Sequence, residues 1–501
     1  MLQKSILPLA AALGLTATVA LPASAAESSA LLDVLVRKKI ITEKEAAAIQ
    51  DETTKEEQAK SANKIKLSNS VSELKLYGDL RLRYQYENKD PQVDPFTGSG
   101  NGTPTGAQRG RWRFRLRLDA EFKLGEDWFG GVELQTAYAS DSANQTFENG
   151  FTDYPIFISK AYLGYRATEW LTLTGGKFSN PFYTTDLVWD PDINPTGISE
   201  QIAFHKIFSS GDQSPAGYAK DGKTVAPVAP KESPWEFTLV AGQFIFDDNL
   251  EGGGKDPGVT DKDSTTDAYL FETQLIASYK FNKDVKLTVA PAWLVYSAGS
   301  FTIPTATTDV FGEANNNSFL DSGAVSGATR NLSIIQAPGD LSFKLGGVKT
   351  KFYWDFAWNT EGKSRVEDIY HLEHAVHTTK DPNDFKSDHS TRDDFAWLAG
   401  LQFGENKKRG DWSLLANYRE TGIGSVDPNL NDSDFALGEL NTRGVKVGLA
   451  YNVADFAVFS VIYMHAWNLR QDLFGGEATG GNGVADSNAV QVLQVDLNVK
   501  F

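Results

Sequence analysis

Residues 111–124 alternate with a period of two that leaves little freedom. Trp112, Phe114, Leu116, Leu118, Ala120, Phe122 and Leu124 interleave with Arg111, Arg113, Arg115, Arg117, Asp119, Glu121 and Lys123. Successive strand side chains point to opposite faces, so one face is apolar and the other charged. A slip of one residue would turn every arginine into the apolar side, at about 2–4 kcal/mol each if that side is lipid. The register is therefore strongly specified. Leu74, Leu76, Gly78, Leu80, Leu82, Tyr84 and Tyr86 repeat the pattern against Lys75, Tyr77, Asp79, Arg81, Arg83 and Gln85. It persists to the end, where Leu493, Val495, Leu497, Val499 and Phe501 oppose Gln494, Asp496, Asn498 and Lys500.

The alternation predicts strands near 74–87, 111–125, 129–140, 157–167, 170–179, 199–209, 235–246, 268–281, 285–298, 330–344, 348–360, 393–405, 411–420, 442–453, 456–468 and 490–501. It is thinnest at 199–209 and 330–344. Short connections such as Gly125-Glu126-Asp127, Ala167-Thr168-Glu169, Asn282-Lys283-Asp284 and Ala454-Asp455 take turns with long polar ones: 88–110, 141–156, 180–198, 247–267, 299–329, 361–392, 421–441 and 469–489. An even strand number with short turns at one end and long loops at the other fits a closed antiparallel transmembrane β-barrel of about 16 strands. The stretch 210–234 is too long for its place among the short turns. Trp128, Trp170, Trp235 and Trp412 each follow a predicted turn, as an aromatic girdle at headgroup level would require.

The amino-terminal region reads differently. Lys4, the apolar stretch Ile6 to Val19 and the small residues Ala23-Ser24-Ala25-Ala26 form a signal-peptide pattern over residues 1–26, too short for a membrane anchor. The 501 residues include no cysteine, so no disulfide framework supports this exported chain and thiolate-zinc chemistry is excluded on the same ground. Residues 27–66 carry Leu31, Leu32, Leu35 and Val36 at helical spacing, then Thr42 and Glu45 as a capping box before Ala46 and Ile49. A periplasmic helical or coiled segment is expected there, serving as a tether or a self-association hairpin. The barrel then occupies 67–501. A mean hydropathy of −0.33 does not oppose a membrane, because a barrel shows lipid only alternate residues. The net charge of −17 argues against nucleic acid as a partner.

Several segments together resemble the "putative porin" family of Gram-negative outer membranes. They are Leu31 to Thr42, Tyr77-Gly78-Asp79-Leu80-Arg81-Leu82-Arg83-Tyr84, the arginine strand from Arg111, Asp432-Ser433-Asp434-Phe435, and Leu497-Asn498-Val499-Lys500-Phe501. The resemblance implies an outer-membrane barrel, bathed in lipid, that passes small hydrophilic solutes passively; it implies no particular substrate. The terminal Phe501 looks like the signal read by the barrel-assembly machinery.

Competing chemistry has little support. His371, His374 and His377 could meet on a helical turn, but their spacing matches no standard helical zinc motif, and a solvated loop explains them. There is no nucleophile elbow, phosphate loop or calcium loop, so neither an enzyme nor a cofactor is expected. An energised receptor would need a folded plug before the barrel, and the residues before Leu74 are too few. A structural or adhesive barrel without significant transport is the alternative. For selectivity, Arg81, Arg83, Arg111, Arg113, Arg115 and Arg117 are expected to line the pore and favour anions. Asp186, Asp190, Asp192, Asp427, Asp432 and Asp434 are expected at the outer mouth, gathering cations. The competing expectation is that an acidic loop folds inward and neutralises the arginines. The apolar residues of 27–66 suggest a homotrimer.

Overall fold

The computed structural model describes residues 37, 38, 42, 46, 67–89, 107–137, 142–147, 149–151, 153–209, 233–247, 268–297, 331–367, 389–470 and 489–501. The expected signal peptide, most of 27–66, the 210–232 stretch and the three loop histidines lie outside the described residues. The chain divides into two units, Met1–Asn69 and Ser70–Phe501. In the first, the Ala46 N–H donates to the Thr42 carbonyl at 2.9 Å.

The second unit is a barrel. Its strands are β1 (Val71–Lys89), β2 (Ala107–Leu124), β3 (Trp128–Thr136), β4 (Ile156–Arg166), β5 (Leu171–Lys177), β6 (Thr196–Ala203), β7 (Trp235–Asp247) and β8 (Ala268–Lys280). They continue with β9 (Lys286–Val289 and Ala292–Tyr296), β10 (Ser333–Gln336 and Gly339–Leu345), β11 (Val348–Asn359), β12 (Phe395–Gly404), β13 (Trp412–Thr421), β14 (Thr442–Ala454), β15 (Ala457–Asn468) and β16 (Val490–Lys500). Each pairs antiparallel with the next, and β16 returns to pair with β1 from Asp79↔Lys500 to Lys89↔Val490. The result is a closed sixteen-stranded antiparallel barrel. A two-residue strand, Gln145–Thr146, extends the wall beside β2 above the end of β3.

The thin regions have local causes. β9 and β10 are interrupted at Pro291 and Pro338, which have no N–H to give the ladder. Their carbonyls still accept, from the Leu275 N–H at 3.0 Å and the Ala290 N–H at 2.9 Å, so the wall stays closed. The strand expected over 199–209 stops at Ala203. Phe204, Ile207 and Phe208 recur at helical rather than alternating spacing, and Phe204–Ser209 is a short helix, α1.

The outward face is apolar as the alternation requires. Leu76, Leu82, Trp112, Leu449 and Leu497 are exposed on it. At the short-turn end, Trp128 packs on Tyr165 with ring centroids 4.7 Å apart, and Trp235 on Tyr279 at 4.5 Å. Both pairs stand at the end where the girdle is expected.

The closing seam extends to Phe501. The Phe501 N–H donates to the Gly78 carbonyl at 3.1 Å, and the Gly78 N–H to the Phe501 carbonyl at 2.9 Å. The Phe501 ring lies over Gly78, where an added Cβ would come within 2.9 Å of the ring and 2.4 Å of the Arg117 carbonyl. Glycine therefore leaves the seat for the terminal ring. Phe501→Asp should remove this cover and put a charge at the lipid-side seam. Outer-membrane yield and heat-modifiable migration should both fall; unchanged values would mean the terminal ring is dispensable for assembly.

Candidate functional site: two loops folded into the barrel lumen

Two connections turn inward. The 178–195 loop joins β5 to β6, and the 422–441 loop joins β13 to β14. Phe178, Phe182, Leu187, Val188, Trp189 and Ile193 of the first pack against Val240 and Phe244 of β7, and against inward side chains such as Leu294, Ile334 and Leu398. Val426, Leu430 and Leu440 of the second join the same buried cluster. The lumen thus holds an apolar core on its β7–β12 side. Burying such side chains contributes about 1.5–3 kcal/mol each, which commits the loops to the interior.

The opposite side is ionic. Asp186 accepts from Arg419 at 2.8 Å and from Lys446 at 2.6 Å. Asp432 meets the same two cations at 3.5 and 3.2 Å. Burial alone would raise the Asp186 carboxyl, but Arg419 and Lys446 outweigh it and hold the group well below the usual carboxylate range. Arg419 also lies 4.4 Å from the Phe435 ring centroid. Polar anchors on other strands hold the first loop: Thr185 donates to Asp355 at 2.7 Å, and Tyr183 donates to Asp340. Tyr296 of β9 donates to Asp427 of the second loop.

All six expected arginines stand on the inward face, and most are ion-paired. Arg83, 2% exposed, bonds Asp496 at 2.8 Å and faces Asp434 at 3.3 Å. Arg111 meets Glu87 at 2.6 Å. Arg115 meets Asp79 at 2.9 Å, and Arg117 meets Asp192 at 2.5 Å. Arg113 donates to the Asn144 carbonyl at 3.1 Å and to Gln85 at 3.4 Å. Arg81 donates to the Asn144 side chain, and its Nε has no partner. It is the one arginine of the six without a carboxylate or an unassigned contact among the described residues. Arg81 stands opposite Arg115 and Arg83 opposite Arg113. Like charges so placed destabilise a sheet unless anions come between them, and the loop aspartates supply those anions.

This corrects the expectation for the acidic loops. Asp186, Asp190, Asp192, Asp427, Asp432 and Asp434 do not stand at the mouth; they sit inside, as the competing expectation of an inward-folded acidic loop requires, bonded to cations, tyrosine or serine of the wall and of each other's loop. The reason is the apolar residues between them, Leu187, Val188, Trp189, Ile193, Val426 and Leu430, which draw both loops out of water. Arg419 and Lys446 were not singled out from the sequence. Their signal was available: each interrupts a run of apolar residues at an inward position, beside Tyr418 and between Val445 and Val447.

A cavity of about 350 Å³ remains between the 178–195 loop and the wall, lined among others by Arg117, Glu133, Lys160, Asn180 and Asp186. Lys160 bridges Glu133 at 2.7 Å and Asp119 at 3.5 Å. The opening therefore carries both signs of charge.

Asp190 joins the two loops. It accepts from the Ser433 N–H at 3.0 Å and hydroxyl at 3.1 Å, while its own N–H donates to the Leu430 carbonyl at 2.5 Å. Burial, reinforced by Asp432 and Asp192, pushes its carboxyl up to about 9. A raised acid favours the docked loops while it keeps its proton. That contribution is complete below the ordinary carboxylate pKa and is lost as pH climbs toward about 9. Channel current should accordingly grow or become noisier as pH rises toward that value and level off above it. Asp190→Asn, which keeps the acceptor and cannot ionise, should flatten the dependence. An unchanged pH profile in that variant would remove Asp190 from the effect.

Comparison with known proteins adds the family. A family model described as "Putative porin" matches residues 36–501. No curated protein matches the sequence. Among solved structures, the chain is similar to Salmonella typhi OmpF in complex with daunomycin, at 10% identity over 87% of this chain and 100% of that one, with a TM-score of 0.40. It is similar to the outer membrane channel DcaP of Acinetobacter baumannii, at 11% identity over 87% and 99%, TM-score 0.40. It is also similar to Pseudomonas putida OprB, at 10% identity over 85% and 94%, TM-score 0.41. At these scores the architecture rests on the strand register itself. Among the described residues no helix is long and apolar enough to cross a membrane, which leaves crossing by strands untouched. With an apolar outer wall, charged side chains and two loops inside the barrel, and a family match over nearly its whole length, the chain belongs to the putative porin family and forms an outer-membrane channel.

Proposed function

We propose that this channel admits small hydrophilic solutes by passive diffusion through the opening beside the 178–195 loop, with a bias toward anions. The observation that carries the bias is Arg81, whose guanidinium faces Asn144 rather than a carboxylate. Arg83, Arg111, Arg115 and Arg117 supply field more than free charge, because Asp79, Asp192, Asp434, Asp496 and Glu87 lie against them. Selectivity should therefore be modest. The test is the zero-current potential across a salt gradient. Arg81→Glu should move it toward cation preference, and the double change of Arg113 and Arg115 to Glu should move it further if the barrel still inserts. Glutamate at 115 would stand beside Asp79, so Arg81 is the cleaner site. No shift in a conducting Arg81→Glu protein takes the ladder out of the permeation path.

Residues 1–26 act in this reading as a cleaved signal peptide, and 27–66 as a periplasmic segment promoting a homotrimer. Leu31, Leu35 and Ile49 support the latter, since so small an apolar set cannot fold stably alone. Equal oligomeric mass with and without 27–66 would reduce the segment to a tether.

A further inference from the structure

A second cavity, of about 200 Å³, opens on the inner wall of β1 to β4. It lies nearer the short-turn end than the first, past the row of Glu133 and Lys160. Two rings laid in opposite directions across one strand pair form its floor. Phe129 of β3 stands opposite Gly164 of β4, and Tyr162 of β4 opposite Gly131 of β3. The Phe129 ring covers Gly164, where an added Cβ would strike it. Tyr162 covers Gly131, where an added Cβ would come within 2.9 Å of the ring. Each glycine leaves its neighbour's ring room to lie across the wall. Covering a bare glycine with a ring helps a strand pair by itself; the charges around these two rings ask for more.

Five charged side chains line the cavity: Glu73, Lys75, Glu121, Lys123 and Arg166. Three are committed. Lys123 pairs with Glu73 at 2.5 Å, and Glu121 accepts from the Tyr77 hydroxyl at 2.5 Å. Lys75 and Arg166 have no carboxylate at ion-pair distance among the described residues. Aromatic faces hold them instead. The Lys75 ammonium lies 4.3 Å from the Tyr77 ring centroid, and the Arg166 guanidinium 4.9 Å from that of Phe129. A ring face orients a cation without neutralising it, and both residues are exposed. Two oriented cations therefore stand beside two rings in one hollow.

We propose that this cavity binds small carboxylates that carry a flat apolar body, such as an aromatic ring. The carboxylate meets the Arg166 fork, with Lys75 as the second cation, and the body packs on Tyr162 and Phe129. Guanidinium and carboxylate match in paired hydrogen bonds, and rings pack edge-to-face or offset. A neutral sugar would engage the rings but neither cation. An inorganic anion would engage the cations but neither ring. Binding here goes beyond the channel reading and does not require that Arg81 set the selectivity.

Fluorine NMR of para-fluorobenzoate, with folded barrels in mild detergent and with detergent alone as reference, tests this. The barrels should broaden the line, and unlabelled benzoate should reverse the broadening at several-fold lower concentration than acetate. Arg166→Gln should weaken binding several-fold. The backbone N–H at 166 keeps its bond to the Asp127 carbonyl in that variant, so the strand end is undisturbed. Lys75→Gln should weaken binding too, and it decides the matter should Arg166→Gln fail to fold. No broadening by the unmodified protein overturns the proposal, as does equal displacement by acetate or equal broadening of para-fluorobenzyl alcohol. Binding retained in both Arg166→Gln and Lys75→Gln but lost in Arg81→Gln would put the anion in the arginine ladder and likewise overturn it.

Discussion

Arg419→Met should enlarge the single-channel conductance without preventing insertion. Arg419 is 2% exposed and is held between Asp186 at 2.8 Å, Asp432 at 3.5 Å and the Phe435 ring. One side chain of β13 thus ties the 178–195 loop to the 422–441 loop. Its removal leaves two buried carboxylates sharing Lys446, and breaking such a buried pair costs about 3–5 kcal/mol. That should loosen the ionic side of the two loops, while the apolar cluster and the bonds of Tyr183 to Asp340 and Thr185 to Asp355 still hold the first loop inside. The lipid-facing wall is untouched, so folding into the membrane should persist. Larger current steps with unchanged heat-modifiable migration are the expected result. Steps of unchanged size from a folded variant would mean that the loops do not narrow the passage.

Leu449→Arg should have the opposite signature, a failure of the wall rather than of the passage. Leu449 is an outward residue near the middle of β14, opposite Leu414 and Val461. An arginine on the lipid face near the midplane costs about 2–4 kcal/mol. Lys446, three residues earlier on the same strand, carries its charge without that cost because it points into the lumen at Asp186 and Asp432. Unfolding of vesicle-inserted protein in urea should shift to lower denaturant for Leu449→Arg. Undiminished stability would place this face in water or in a protein core instead of lipid.

The wall was legible from the sequence because its signal is local. Arg113 beside Phe114, or Lys446 beside Val447, states which way each residue points, and a misplaced charge is costly enough to keep the pattern clean. The positions where the pattern thinned were those where another local preference won: the proline at 338, and helical spacing from Phe204. The lumen was less legible. Long polar connections all resemble one another, and whether Asp186 meets water or Arg419 depends on residues 233 positions apart. The clue lay in what separates the acids: Leu187, Val188 and Trp189 are poor residues for a solvated mouth.

Conductance across a planar bilayer tests the central claim most directly. Purified, folded barrels added to one side should produce discrete current steps that appear at low voltage, need no energy source and grow with salt concentration. Heat-modifiable barrels that insert into the bilayer and carry no current at any salt concentration would contradict an open aqueous passage beside the inward loops.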